Sequence, residues 1–152
     1  ESVATRSKVL HLGISQISGG SRTSVGGYAT PEPKEENSAQ FDISDTRTLD
    51  EVVNWLLDMG HIPSFCTACY RAGRTGDRFM SLVKSGQIAN CCAPNALMTL
   101  KEYLEDYASA DTRAKGEVLI QKELKHIPNP KIKEIAARNL KEIIEGKRDF
   151  RF

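Results

Sequence analysis

The chain has 152 residues, enough for one ordinary domain whose core needs no disulfide support. Its 21 Lys and Arg residues nearly balance 20 Asp and Glu residues, which excludes an overall positive field for nucleic acid or anionic membranes. No apolar run approaches the roughly 20 residues that cross a bilayer, and the N-terminus lacks the apolar core of a secretory signal, so we predict a cytoplasmic protein that binds neither nucleic acid nor membrane.

The N-terminal part contains a predicted helix, strand and glycine-rich loop, in that order. Ser2 is a typical helix cap, and Gly13 is placed to end the helix in the left-handed conformation. Residues 14–18, ISQIS, alternate in polarity and lie before two glycines, which predicts a short strand. One strand cannot form a sheet. We therefore expect it to be the last strand of a barrel whose remainder is missing, or to pair with a second copy.

A polar stretch separates this part from a predicted helical domain. Residues 31–47, which begin PEPKEEN, read as a linker. Thr48 and Glu51 form a capping box that opens the first helix of the domain, and this helix ends near Gly60. Four more helices are predicted: residues 77–85, a helix with Pro94 in its first turn, residues 111–126, and residues 130–145 capped by Asn129.

Apolar residues recur at helical spacing along three of these helices and predict their buried faces. The expected buried positions are Leu49, Val52, Val53, Leu56 and Leu57; then Leu97, Leu100, Leu104 and Tyr107; and finally Ile132, Ile135, Ala136, Leu140, Ile143 and Ile144. The chain from residue 48 to residue 152 is therefore predicted to be a small helical domain.

All four cysteines lie between residues 66 and 92, in the pattern C-x2-C-x22-C with one more cysteine directly before the last. In a reducing compartment such clustering favours metal or redox chemistry over a disulfide framework. Nearby Arg71, Arg74 and Arg78 and two helix N-termini are expected to stabilise thiolates. The residues alone leave three interpretations open.

The first interpretation is structural zinc, held by the four cysteines or by three of them with His61. Against the four-cysteine version, the side chains of adjacent Cys91 and Cys92 are expected to diverge. The second is an iron-sulfur cluster on three cysteines, which leaves one iron open to another ligand. The third is unliganded, buried thiols.

Two stretches resemble a known family. GGSRTSVGGYA, residues 19–29, is similar to the last barrel loop of the radical S-adenosylmethionine (SAM) aromatic amino-acid lyases. The stretch from FCTACY to EDYA, residues 65–108, is similar to the C-terminal domain of the tyrosine lyases that mature diiron hydrogenases. The resemblance implies a mainly α fold. Residues 1–30 would be the last helix, strand and loop of a (β/α)8 barrel, residues 31–47 a linker, and residues 48–152 a helical C-terminal domain.

The resemblance implies that Cys66, Cys69 and Cys92 bind an auxiliary 4Fe-4S cluster carrying an extra iron, and that Cys91 is a neighbour and not a ligand. Members of this family cleave tyrosine to p-cresol and dehydroglycine, and dehydroglycine yields carbon monoxide and cyanide for hydrogenase assembly. SAM and a second 4Fe-4S cluster would bind in the missing part, because the chain has no C-x3-C-x2-C motif. We therefore expect the chain alone to be inactive, and we assign no catalytic residue.

The implied partners are tyrosine, cysteine, other hydrogenase maturases including a scaffold protein, and the missing part of the barrel. Self-association through residues 1–30 is a further expectation. We do not assign an iron-ligand role to His11, His61 or His126. Ser21 and Arg22 follow the predicted strand, where barrel active sites gather, and we hypothesise that they contact the substrate. The alternative function is a zinc-stabilised helical interaction module.

Overall fold

Helices make up the regular structure of the part of the chain that the computed structural model describes, residues 1–24, 26–29 and 41–152. The described residues form seven helices: α1 (Val3–Leu10), α2 (Leu49–Asp58), α3 (Ala68–Arg71), α4 (Asp77–Lys84), α5 (Ile88–Asp106), α6 (Ala110–Leu124) and α7 (Pro130–Ile144). The predicted mainly α fold class is confirmed. Within the described residues, none of these helices has both the length and the apolar character needed to span a membrane.

The chain divides into two compact units, residues 1–52 and 53–152. The predicted boundaries at residues 30 and 47 stay predictions, and residues 31–40 of the predicted linker lie outside the described part of the chain. In the first unit α1 begins as expected, because the Ser2 hydroxyl accepts a hydrogen bond from Thr5 N at 3.2 Å. All residues of α1 remain half-buried or exposed.

The strand predicted over residues 14–18 is wrong, since these described residues form no strand. A strand is stable only when a neighbouring strand pairs with its backbone, and the described residues provide no such neighbour. Leu12 and Ile14 are consequently 82% and 52% exposed. The alternating pattern was present in the sequence, but alternation cannot supply the missing pairing partner.

The capping box at the start of α2 is confirmed. Glu51 accepts a hydrogen bond from Thr48 N at 2.7 Å, and Glu51 N donates to the Thr48 hydroxyl at 3.2 Å. These reciprocal bonds satisfy two backbone donors that a helix start would otherwise leave unpaired.

The core of the second unit forms around α5, which packs against both α6 and α7. The predicted burial of Leu97, Leu100 and Leu104 on α5 is confirmed, but Tyr107 is 76% exposed because α5 ends one residue before it. On α2, Leu49 is exposed and the other four predicted residues are buried. On α7, Ala136, Leu140 and Ile143 are buried, Ile132 packs at the edge of the core, and Ile135 and Ile144 are exposed.

Pro94 lies inside α5 and not in its first turn, because the helix begins at Ile88. The prediction of a helix start near Pro94 is therefore wrong. Proline has no N–H, so the helix loses one backbone bond to the carbonyl four residues earlier. Burial of the proline ring in the core offsets part of this loss. As a result, Cys91 and Cys92 lie on the helix and not in the segment before it.

We expect the α7 cap to contribute measurably to stability. The Asn129 side chain accepts hydrogen bonds from Lys131 N at 3.0 Å and from Ile132 N at 3.4 Å. Asn129→Ala should lower the free energy of unfolding by about 1 kcal/mol, measured by urea denaturation, because these amides lose their acceptor. Asn129→Asp keeps a hydrogen-bond acceptor at this position, so its free energy of unfolding should remain close to that of the parent chain. A loss of equal size in both variants would contradict the capping explanation.

Candidate metal centre

The four cysteines lie on two elements of the second unit. Cys66 and Cys69 belong to the cysteine segment, defined here as residues 65–74, which includes the short helix α3. Cys91 and Cys92 lie in the first turns of α5. All four are half-buried free thiols. The structure therefore places the two cysteine pairs of the sequence motif in elements that meet.

Phe65, the first residue of the cysteine segment, attaches this segment to α5. Phe65 N donates a hydrogen bond to the Thr99 hydroxyl at 3.2 Å, and the Phe65 ring stacks on the Tyr103 ring with centroids 5.1 Å apart. Ala68, between the two cysteines of the segment, is buried. These contacts place the C-x2-C turn beside the helix that carries the other pair.

The sulfur atoms of Cys91 and Cys92 are 3.9 Å apart. The expectation that these adjacent side chains diverge is therefore wrong, because the two side chains turn toward each other along the helix. Cys91 Sγ also lies 3.7 Å from the Gln87 carbonyl oxygen, within reach of a weak S–H hydrogen bond. On the other element, Ala68 N donates to Cys66 Sγ at 3.4 Å, a contact that supports negative charge on that sulfur.

The surroundings of Cys92 favour its protonated thiol form. Burial, together with smaller effects of the Cys91, Cys69 and Cys66 thiols, raises the pKa of Cys92 to about 12. The effects of Cys66 and Cys69 indicate that the cysteine segment lies within electrostatic range of Cys92. Thiol ligands lose their protons when they bind a metal, so a metal group here would supply the positive charge that the protein surroundings of Cys92 do not provide.

The three arginines expected to stabilise thiolates are Arg71 and Arg74 on the cysteine segment and Arg78 on α4, and each donates to an oxygen atom. Their effect on the thiols stays a prediction. Two of the arginines bind the tail segment, defined here as residues 148–152. Arg71 forms a two-pronged ion pair with Asp149, and Arg74 donates to the Phe152 carbonyl oxygen at 3.0 Å. Arg78 reaches the Gly73 carbonyl oxygen at 3.4 Å. The guanidinium groups therefore hold the chain around the thiols.

The candidate ligands are thiols, which are the usual protein ligands of iron-sulfur clusters. Among the described residues, no group of three or more His, Cys, Asp or Glu side chains is arranged to hold one metal ion. In a 4Fe-4S cluster each thiolate binds a different iron, so its ligands need not converge on one point. Arg74 Nε is also buried without a hydrogen-bond partner in the described part of the chain, and an anionic cluster would suit such a donor.

Ser21 and Arg22 lie in the first unit. Ser21 lines a cavity of about 360 Å³, together with Arg6, Ile14 and Asp45 among others. Arg22 uses one guanidinium nitrogen to bind two carbonyl oxygens, those of Ser21 at 3.0 Å and Thr46 at 2.9 Å. These contacts hold the backbone around the loop. Substrate contact by Ser21 and Arg22 stays a prediction.

Sequence reasoning missed a buried carboxylate that organises this first unit. The Asp45 side chain is 6% exposed, accepts two side-chain bonds from Arg47 at 2.9 and 2.6 Å, and also accepts one from Arg6. Arg6 in turn donates to the Ser18 carbonyl oxygen. Arg47 lies two residues after Asp45, but Arg6 lies 39 residues before it, so no local pattern in the sequence predicts this cluster.

We expect Asp45 to make the first unit sensitive to acid. Hydrogen bonds from Arg47, and then from Arg6, hold the pKa of Asp45 far below its usual range against the opposing effect of burial. A lowered folded-state pKa gives stability that is present above about pH 4 and is lost as the pH falls toward the folded-state value. Asp45→Asn should flatten this dependence, measured as the urea midpoint of amide NMR signals from residues 3–10 between about pH 5 and pH 2. If the urea midpoint of Asp45→Asn falls with pH as steeply as that of the parent chain, the role given to Asp45 is wrong.

Together, the fold and the thiols define a helical domain whose candidate metal centre joins a C-x2-C segment to the start of a long helix. Over its whole length the chain is similar to the C-terminal portion of HydG, a maturase of the FeFe-hydrogenase, with a TM-score of 0.90 and 47% sequence identity to its crystal structure. The match covers 100% of this chain and 32% of the HydG chain, so the chain spans about a third of that protein's length. This confirms the resemblance found in the sequence. No protein-family model and no curated protein matches the chain.

Proposed function

We propose that this chain is the cluster-binding part of a radical SAM tyrosine lyase of hydrogenase maturation, and that Cys66, Cys69 and Cys92 hold an auxiliary 4Fe-4S cluster. The observation that carries this proposal is the similarity to HydG across the whole chain, at 47% identity, in a domain where the segment with Cys66 and Cys69 is hydrogen-bonded to the helix with Cys92. A fold shared without those thiols would not support a metal centre.

Each thiol has a distinct place in the proposed site. Cys66 and Cys69 would hold two corners of the cluster from the cysteine segment, and Cys92 would hold a third from α5. Cys91 would remain a neighbouring thiol within 3.9 Å of the Cys92 sulfur. When bound, the cluster would supply an iron without a protein thiolate, on which an extra iron could collect carbon monoxide, cyanide and cysteine.

The remaining parts of the proposal concern the parent protein. SAM and a second 4Fe-4S cluster would bind outside this chain, and tyrosine would be cleaved there to p-cresol and dehydroglycine, the source of carbon monoxide and cyanide. The proposed partners are the rest of the barrel and other hydrogenase maturases, including a scaffold protein. The proposed compartment is the cytoplasm, which keeps thiols reduced. Pairing of residues 1–30 with a second copy also stays a prediction.

The test is the iron, sulfide and zinc content of the chain after anaerobic purification and reconstitution, together with its absorption spectrum. Iron and sulfide of about four atoms each per chain would support the proposal. Stoichiometric zinc with no uptake of iron would contradict it.

One observation favours the alternative function, a zinc-stabilised helical interaction module. Zn–S bonds of about 2.3 Å in a tetrahedron separate the sulfurs by about 3.8 Å. The Cys91 and Cys92 sulfurs, 3.9 Å apart, nearly match that separation. The same metal analysis distinguishes the two, because a zinc site is colourless and redox-silent.

A further inference from the structure

We propose that the tail segment, residues 148–152, is a positioning element that holds the cysteine segment against α5 and so sets the distance between the two sources of cluster ligands. The residues that transmit this effect are Asn95 on α5, Arg74 and Arg71 on the cysteine segment, and Asp149 on the tail segment. The inference rests on the proposed function, because it concerns the same site.

The backbone of Phe152 is paired with a buried side chain of α5. Phe152 N donates to Asn95 Oδ1 at 2.9 Å, and Asn95 Nδ2 donates back to the Phe152 carbonyl oxygen at 3.4 Å. Asn95 is only 2% exposed, and a buried amide without such partners would be destabilising. Asn95 lies three residues after Cys92, which places both on the same side of α5.

The same Phe152 carbonyl oxygen also binds the cysteine segment. Arg74 Nη2 donates to it at 3.0 Å, and Arg74 N donates to the Cys69 carbonyl oxygen at 2.8 Å. One backbone carbonyl is therefore shared between the helix that carries Cys92 and the segment that carries Cys69. Movement of the tail segment would release both elements from each other at this point.

A second connection lies one turn earlier in the cysteine segment. Arg71 binds both carboxylate oxygens of Asp149, at 2.5 and 3.0 Å, and Asp149 N donates to the Glu102 side chain on α5 at 2.8 Å. Asp149 has a φ of 65°, a left-handed conformation that Asp and Asn tolerate better than most residues. Asp149 therefore connects the tail segment to both α5 and the cysteine segment, and its left-handed backbone conformation is one that Asp tolerates.

Phe150 and Phe152 of the tail segment pack against the hydrophobic core, whereas the tail segment binds the cysteine segment through the polar contacts of Arg71 and Arg74. A cavity of about 120 Å³ lies between the two segments, lined by Cys66, Arg71, Glu102 and Phe150 among others. Phe65 and Thr99 anchor the beginning of the cysteine segment to α5, but the end of that segment meets α5 through the tail segment. The tail segment is therefore fixed on the core by its aromatic rings, and its hydrogen bonds to Arg71 and Arg74 limit how far the end of the cysteine segment can move.

The test compares the whole chain, reconstituted with iron and sulfide, with its Asn95→Ala and Asp149→Asn variants. We expect each variant to release iron to a chelator about fivefold faster than the parent chain, since each loses contacts of ordinary hydrogen-bond strength. We also expect an altered EPR spectrum of the reduced cluster. In the cluster-free chain, amide hydrogen exchange at residues 69–74 should be faster in both variants.

Asp149→Asn is the variant least expected to disturb folding, because Asn accepts the same backbone conformation and the side chain of Asp149 is 61% exposed. Asp58→Asn is the matched control. Asp58 is similarly exposed, at 56%, and pairs with Lys115 on α6 at 3.0 Å, away from the cysteine segment. This control should match the parent chain in iron release, EPR spectrum and exchange.

The outcomes separate this inference from the proposed function. If the parent chain binds the cluster and both variants release iron at the parental rate, the tail segment has no positioning role and the proposed function stands. If the parent chain takes up no iron and sulfide, both ideas are wrong. Faster release in the two variants, with the Asp58→Asn control unchanged, supports the inference.

Discussion

Cys92→Ala is expected to abolish stable cluster binding, with iron falling from about four atoms per reconstituted chain to below about one. Cys92 is the proposed cluster ligand from α5, and Cys66 and Cys69 both lie on the cysteine segment. Its loss would leave the cluster attached to one element only. The measurement is iron and sulfide content with the absorption spectrum, made beside circular dichroism to show that the helices persist.

Cys91→Ala is the matched control, since it removes an adjacent thiol of similar burial. We expect this variant to keep about four iron atoms. The short distance between the Cys91 and Cys92 sulfurs adds a necessary comparison, because Cys91 is close enough to replace its neighbour. If Cys92→Ala keeps the cluster and the double variant loses it, the assignment of Cys92 as the sole ligand from α5 is wrong.

Leu104→Ala is expected to lower the free energy of unfolding by about 2 to 5 kcal/mol, because it opens a cavity where α5 meets α6. Leu104 is 1% exposed, and it occupies the space beside Gly116 on α6. A Cβ atom added at Gly116 would lie 2.5 Å from Leu104 Cδ1, which is closer than atoms can pack. The Leu104 side chain therefore fills space that is free only because residue 116 is a glycine.

The effect of Gly116→Ala on the free energy of unfolding should have opposite signs in the parent chain and in the Leu104→Ala variant. In the parent chain the clash should cost about 1 to 3 kcal/mol, partly offset by the better helix propensity of alanine. In the Leu104→Ala background the added methyl group should fill part of the cavity and stabilise the chain. Urea unfolding of the four chains measures the coupling, with Val118→Ala on the exposed face of α6 as control. Additivity within about 0.5 kcal/mol would contradict this account of the packing.

Several features could be predicted because they depend on residues close together in the sequence. The caps at Ser2, Thr48 and Asn129 are each confirmed, since a cap needs only a side chain and the backbone amides two or three residues later. The burial of Leu97, Leu100 and Leu104 follows in the same way from helical spacing. The cysteine spacing marked a candidate metal centre for the same reason, because a C-x2-C turn is a local feature.

Other predictions failed because the deciding interaction lies elsewhere in the chain. The strand over residues 14–18 needed a pairing partner, and Tyr107 needed one more residue of helix before it could be buried. Pro94 was expected to mark the start of a helix, but the burial of its ring in the core allows it to lie inside α5. In each case the local pattern was compatible with two outcomes, and packing chose between them.

The sequence by itself determined most of the helices and the caps at Ser2, Thr48 and Asn129, but not α3 or the start of α5. It also determined the C-x2-C-x22-C motif and the resemblance to the hydrogenase-maturing lyases. Only the tertiary structure decided where the arginines of the cysteine segment bind. Arg71 meets Asp149, and Arg74 meets Phe152, in each case 78 residues further along the chain. The physical reason is that helix propensity and capping act within one or two turns, whereas a charged side chain pairs with whatever partner the folded chain brings within about 4 Å.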